Sequence, residues 1–215
     1  MSRPEALTPL VNALALVIRE LRLMAAAIWA HARHPPKSTA YETLWLDLAL
    51  DLVDRTGERA ILTRRQCVRF HGLDGAIVRE LVWGDGEQLV RYTAGNARRL
   101  TVLPEGSKRV VLLAPDRQPV PGGQLTITSR RTIRGGFRAA NEYCEALLER
   151  PTGRLAITVR FPLGRPPKHA QVILASTETV LRTLPVRYGA DGRAVLRCRL
   201  RNPVPAVVYS LRWQW

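Results

Sequence analysis

The sequence predicts a mainly β protein, an N-terminal amphipathic helix followed by two antiparallel β-sandwich-like domains. Three observations carry this reading. In residues 154–162, Leu155, Ile157, Val159 and Phe161 alternate with Ala156, Thr158 and Arg160, the period-two signature of a half-buried strand. Turn sequences such as Asp74-Gly75, Gly84-Asp85-Gly86, Pro121-Gly122-Gly123 and Gly189-Ala190-Asp191-Gly192 punctuate the chain at short intervals, as in all-β folds. A clear helical period is confined to residues 4–33.

In that first segment Leu7, Leu10, Val11, Leu14, Val17, Ile18, Leu21, Ala25, Ile28 and Ala32 recur at three- and four-residue steps. Glu5, Thr8, Asn12, Arg19, Arg22 and Arg33 collect opposite them, and His34-Pro35-Pro36 ends the run. The expected layout is a helix over 1–34, a linker over 35–39, a β-rich domain over 40–150 and a small β-sandwich domain over 151–215. The apolar sector is wide enough to need a cover. Leu7, Leu10, Leu14, Val17, Leu21 and Ile28 are the candidate face for a protein partner or a second copy, with docking on the chain's own β domain as the alternative. Arg19, Glu20 and Arg22 interrupt the apolar run, so no membrane span is expected. Met1-Ser2-Arg3-Pro4-Glu5 does not read as a signal peptide.

Beyond the linker the period changes. Leu44, Leu46, Leu48, Leu50 and Leu52 alternate with Trp45, Asp47, Ala49, Asp51 and Val53, then Asp54-Arg55-Thr56-Gly57-Glu58 turns the chain into a second strand over 60–70. Together these predict a long hairpin. Further strands are expected over 76–83, 88–92, 109–114 and 124–133. Residues 137–149 carry both periods and are assigned to a strand ending at Pro151.

The last unit opens with the strand over 154–162 and continues over 170–175, 180–188, 193–201 and 207–213. It resembles an immunoglobulin-like module in length and rhythm, and lacks the cysteine pair that would make the likeness specific.

The chemistry-bearing motifs are missing. There is no nucleophile elbow, phosphate-binding glycine loop, zinc-binding His-Glu pair or Cys/His cluster. His31, His34, His71 and His169 are scattered, and Cys67, Cys144 and Cys198 form no close pair, which fits a reducing, cytoplasmic setting. Asp85 with Glu87 could pair for acid/base work, and Cys67 lies among arginines, yet a solvated turn and a buried thiol account for both. No enzyme, cofactor or metal is expected.

Charge is the strongest remaining signal. Lys+Arg number 33 against 18 Asp+Glu, a formal net charge of +15. Only Lys37, Lys108 and Lys168 are lysine, so arginine carries the excess. Arg64, Arg65 and Arg69 lie on one expected strand, Arg98 and Arg99 in an expected loop, and Arg130, Arg131, Arg134 and Arg138 near Gly135-Gly136. Arg197, Arg199 and Arg201 alternate with apolar residues and form a ladder out of one sheet face. Guanidinium suits phosphate and carboxylate; a solvated basic face that protects a sheet edge is the plainer account. Two function classes follow. One is a non-catalytic interaction or assembly module that docks a protein partner or itself through the helix. The other is a sequence-nonspecific nucleic-acid-binding protein, with DNA or RNA on Arg64, Arg65, Arg69, Arg130, Arg131, Arg134, Arg197, Arg199 and Arg201. Outward arginines on one continuous face would favour the second.

Overall fold

Leucines at every second position commit Tyr41–Leu52 to a strand, β1: Leu46, Leu48, Leu50 and Leu52 are 0–4% exposed, whereas Asp47, Ala49 and Asp51 face the other way. The computed structural model describes residues 40–72 and 76–215. The helix expected over 1–34 and the linker over 35–39 lie outside the described residues.

The turn after β1 is held by Asp54, whose carboxylate accepts hydrogen bonds from the backbone amides of Thr56 (3.0 Å), Glu58 (3.0 Å) and Arg59 (2.7 Å) and from Thr56 Oγ1 (2.7 Å). Gly57 is required here: its φ is +74°, and a Cβ would lie 1.6 Å from the Phe137 carbonyl oxygen. β2 (Arg59–Phe70) then returns antiparallel to β1, as the hairpin reading expects.

Around this hairpin grows a seven-stranded sheet. On one side lie β7 (Gln124–Arg134) and the edge strand β4 (Glu87–Gly95); on the other lie β9 (Thr152–Arg160), β13 (Ala194–Arg201) and the two-residue β12 (Arg187–Tyr188). The order is β12-β13-β9-β1-β2-β7-β4. The strand read as the start of a new domain is β9, a central strand paired in parallel with β1, Leu46 opposite Leu155 and Leu50 opposite Val159. Strands before and after residue 150 therefore hydrogen-bond in one sheet, and Thr39–Trp215 form one compact unit with no break at 150/151.

A four-stranded sheet of β11 (Thr179–Thr183), β10 (His169–Leu174), β14 (Val207–Gln214) and β8 (Asn141–Leu148) shares a core with the large sheet. Leu48, Leu50, Leu155, Ile157, Val159 and Leu196 cluster with Ala146, Leu148, Val172, Leu211 and Trp213. Each buried Leu, Ile or Val side chain among them contributes about 1.5–3 kcal/mol by leaving water. Trp213 closes one end, with Phe137 at 6.0 Å and Phe161 at 5.6 Å between ring centroids. A three-stranded sheet, β3 (Val78–Val82), β6 (Lys108–Pro115) and β5 (Ala97–Glu105), builds a second core with Tyr41, Val68, Phe70 and Ile127.

Two sequence expectations need correction. Arg98 and Arg99, expected in a loop, belong to β5, which pairs only with β6 and so shows little alternation. Residues 180–188, expected as one strand, divide at Leu184-Pro185-Val186: β11 joins the four-stranded sheet and β12 the seven-stranded one. Pro185 has no N–H to offer a ladder, which suits it to the crossing.

Candidate functional site

Register across the large sheet places the arginines. Residues directly opposite one another share a face. One transverse row runs Arg197, Thr158, Ala49, Thr63, Arg130 and Thr93; the next runs Arg199, Ala156, Asp47, Arg65, Thr128 and Gly95. Arg201 stands opposite Arg154, and Arg59 opposite Arg134. Arg65, Arg130 and Arg134 from one part of the chain thus share a face with Arg197, Arg199 and Arg201 from another. The four strand spacings between Arg197 and Arg130 span about 19 Å at roughly 4.8 Å each. Between them the floor is short side chains: Ala49, Ala156, Thr63 and Thr158.

The acids on this face are already engaged. Asp47 pairs with Arg154 at 3.2 Å, Glu87 with Arg134 at 3.5 Å, and Asp51 with Arg193. Arg59, Arg65, Arg130, Arg160, Arg197, Arg199 and Arg201 have no acidic partner among the described residues. Trp45 sits on the same face with the guanidinium carbons of Arg154 and Arg65 at 5.3 and 5.7 Å from its ring centroid, a cation–π arrangement that orders both side chains.

At the β13 edge, where β12 pairs only with Ala194 and Val195, a cleft of about 330 Å³ is lined by Arg182, Leu184, Pro185, Arg187, Arg197 and Arg199. All four arginines are exposed. The crossing of residues 184–186 from one sheet to the other brings Arg182 and Arg187 to this place.

Inside the molecule the three sheets meet at a cavity of about 50 Å³ whose lining includes Arg64, Glu80, Arg131, Cys144 and Glu145. Glu80, 2% exposed, accepts hydrogen bonds from Tyr92 Oη (2.9 Å) and Ser129 Oγ (2.6 Å) and lies 3.7 Å from Arg131 Nη1. Burial and the Glu80 carboxylate raise the Tyr92 pKa far above its ordinary value. Burial lowers that of Arg131, against the attraction of Glu80. Burial also pushes the Cys144 thiol up to about 12.

The expected site residues therefore divide. Arg65, Arg130, Arg134, Arg197, Arg199 and Arg201 share the outer face. Arg69 is engaged by Glu42 at 2.6 Å. Arg64 and Arg131 do not belong to it: opposite Leu48 and Leu62 in the register, they turn inward, where Arg64 donates to Gln66 Oε1 at 2.6 Å and Arg131 faces Glu80. Leu7, Leu10, Leu14, Val17, Leu21 and Ile28 lie outside the described residues. Reading the sequence missed Trp45, Arg154, Arg160, Arg182 and Arg187. Alternation already placed Trp45 with Asp47, and Arg154 with Arg160, on outward sides; no local signal joined Arg182 and Arg187 to β13. Of the acid pair and thiol considered from the sequence, Asp85 and Glu87 are exposed, Glu87 lies 3.5 Å from Arg134, and Cys67 is 5% exposed. No helix among the described residues is long and apolar enough to cross a membrane.

No protein-family model matches the chain, and no curated protein matches it. Among solved structures it is similar to the crystal structure of a "putative protease" from Parabacteroides distasonis, with TM-score 0.51 and 10% identity, over 83% of this chain and 41% of the other. It also overlays yeast LTA4 hydrolase in complex with Bestatin, with TM-score 0.48 and 8% identity, over 83% of this chain and 31% of that one. The chain spans less than half the length of either. The first likeness shows a shared β architecture, one that occurs as part of a larger protein.

Proposed function

We propose that this chain is a cytoplasmic, non-catalytic binding module that holds nucleic acid by its phosphate backbone without reading sequence. The observation that supports this is the continuity of the face: arginines distant in sequence occupy adjacent rows of one sheet, with short side chains between them and the acids already paired. A row of guanidinium groups over a shallow floor suits a flexible anionic strand, because phosphate contacts bring affinity without selecting a base. Trp45, flanked by Arg65 and Arg154, adds the aromatic surface on which a base can stack.

The test is binding of the full chain to labelled single- and double-stranded DNA and RNA across a salt series. The logarithm of affinity is expected to fall linearly with the logarithm of salt, by about 0.9 per phosphate contact for duplex DNA. Arg197→Ala/Arg199→Ala/Arg201→Ala should reduce that slope. An absence of binding at moderate salt would leave the arginines as a solvated surface and the reading refuted. A second role, docking of a protein partner or another copy through residues 4–33, rests on the sequence pattern alone.

A further inference from the structure

We infer that the cleft between β11, β12 and β13 is a binding site for an oligophosphate, a group of two or more linked phosphates. It rests on the geometry of four side chains. Arg197 and Arg199 are two residues apart on β13, so their Cα atoms are separated by about 6.8 Å along the strand. Arg187 stands opposite Val195, which makes it the diagonal neighbour of Arg197 at about 7–8 Å. Arg182 arrives from the other sheet, and all four line one cleft with Leu184 and Pro185.

None of the four has a hydrogen-bonding or acidic partner among the described residues, and no acid lines the cleft. Four converging positive charges repel one another, and an anion of comparable charge relieves that repulsion. Guanidinium also matches phosphate geometry through paired N–H donors. A single phosphate carries roughly two negative charges at neutral pH against the four positive ones; a linked chain of two or three balances more of that charge and distributes its oxygens along the cleft. The volume of about 330 Å³ falls at the lower end of the roughly 300–1,000 Å³ of small-molecule sites. Leu184 and Pro185 supply an apolar wall beside the charges. Protection of the open β13 edge explains outward charge on β13, but not the arrival of Arg182 and Arg187 in the same cleft.

An oligophosphate reaches this site as a free ion or as the 5′ end of a nucleic acid lying on the arginine face; the second case rests on the proposed function. The experiment separates them. Inorganic triphosphate is titrated calorimetrically into the full chain, into Arg182→Gln/Arg187→Gln, and into Arg65→Gln/Arg130→Gln, with circular dichroism confirming that each folds. In parallel, one oligonucleotide is compared with a 5′-triphosphate and with a 5′-hydroxyl. Triphosphate binding is expected to weaken at least about tenfold in Arg182→Gln/Arg187→Gln and by less than about twofold in Arg65→Gln/Arg130→Gln, which lie outside the cleft. A 5′-triphosphate advantage that disappears in Arg182→Gln/Arg187→Gln assigns the ligand to a nucleic-acid end. Cleft-dependent triphosphate binding without that advantage assigns it to a free oligophosphate. No triphosphate binding, or equal binding by the protein and its cleft variant, overturns the inference. Loss of 5′-hydroxyl oligonucleotide binding alone counts against the arginine face and leaves the cleft standing.

Discussion

Arg199 of β13 and Arg65 of β2 stand on one transverse row of the seven-stranded sheet, joined by Ala156 and Asp47. Their alignment makes the basic surface one object: affinity lost at either end should be lost for the same ligand. Arg65→Gln/Arg130→Gln is therefore expected to reduce the salt slope of nucleic-acid binding as Arg197→Ala/Arg199→Ala/Arg201→Ala does. Effects at such a separation should add in free energy. Filter binding of both variants and their combination checks this; a full effect from one cluster and none from the other would divide the face.

Glu80 holds the three-sheet junction. Replacing it by Gln leaves Arg131 with its charge buried and uncompensated, which should destabilise the fold by about 3–5 kcal/mol. Changing both, Glu80→Gln with Arg131→Met, removes the stranded charge and should recover part of that loss. Urea unfolding of the two single variants and the double variant gives the coupling; strict additivity would show that the 3.7 Å pair contributes nothing as a pair.

Glu142, 4% exposed, should make stability fall as pH rises. Burial pushes its pKa up to about 7, partly opposed by the hydrogen bond from the Ala139 amide. The folded state thus binds the proton more tightly than the unfolded chain, whose Glu titrates near 4.3. The stabilisation is complete below that value and is lost as pH rises through about 7. Glu142→Gln is expected to flatten this dependence, read as the urea midpoint at pH 5 against pH 8. An unchanged dependence in the variant would assign it to another group.

Asp54 gives the opposite sign. Desolvation raises its pKa, but the hydrogen bonds from Thr56, Glu58 and Arg59 outweigh it and hold the carboxyl below its ordinary value. The stabilisation it confers is present above about 3.9, the unfolded value, and disappears as pH falls through the lower folded one. Asp54→Ala should cost about 1–3 kcal/mol at neutral pH, and its deficit against the parent should shrink in acid. Thermal melts at pH 7 and pH 3 test both statements.

Leu50 should be the most sensitive kind of core position. It is 2% exposed, in the middle of β1, and pairs with Leu62 and Val159. Leu50→Ala is expected to lose about 2–5 kcal/mol, measured by urea unfolding, whereas Ala49→Ser on the exposed side of the same strand should change stability by less than about 0.5 kcal/mol.

Much of this was legible before the fold. Alternation in Leu44–Val53 and Arg154–Phe161 marked two central strands, Asp54–Glu58 marked the hairpin between β1 and β2, and Arg197, Arg199 and Arg201 were placed outward on β13. Less legible were segments whose neighbours differ along their length. β5 packs on one partner only, and residues 179–188 change sheets at Pro185. Arg64 and Arg131 read as surface charge because a basic side chain normally is; the Glu80 carboxylate and the polar groups around it made interior places for them.

By itself, then, the sequence determined which residues of each strand share a side, since a strand's side chains alternate whatever lies beside it. It also determined the turns, where Gly57 must adopt positive φ, and the excess of arginine. Which strands pair, and which sides face inward together, was decided only by the tertiary structure. Backbone N–H and C=O groups are the same at every residue, so nothing local tells β9 to lie parallel to β1 or β12 to leave β11. Burial of the leucine-rich face of the large sheet against the mixed apolar face of the four-stranded sheet selects that arrangement, and it is this selection that brings Arg65 into line with Arg199 and gathers Arg182, Arg187, Arg197 and Arg199 around one cleft.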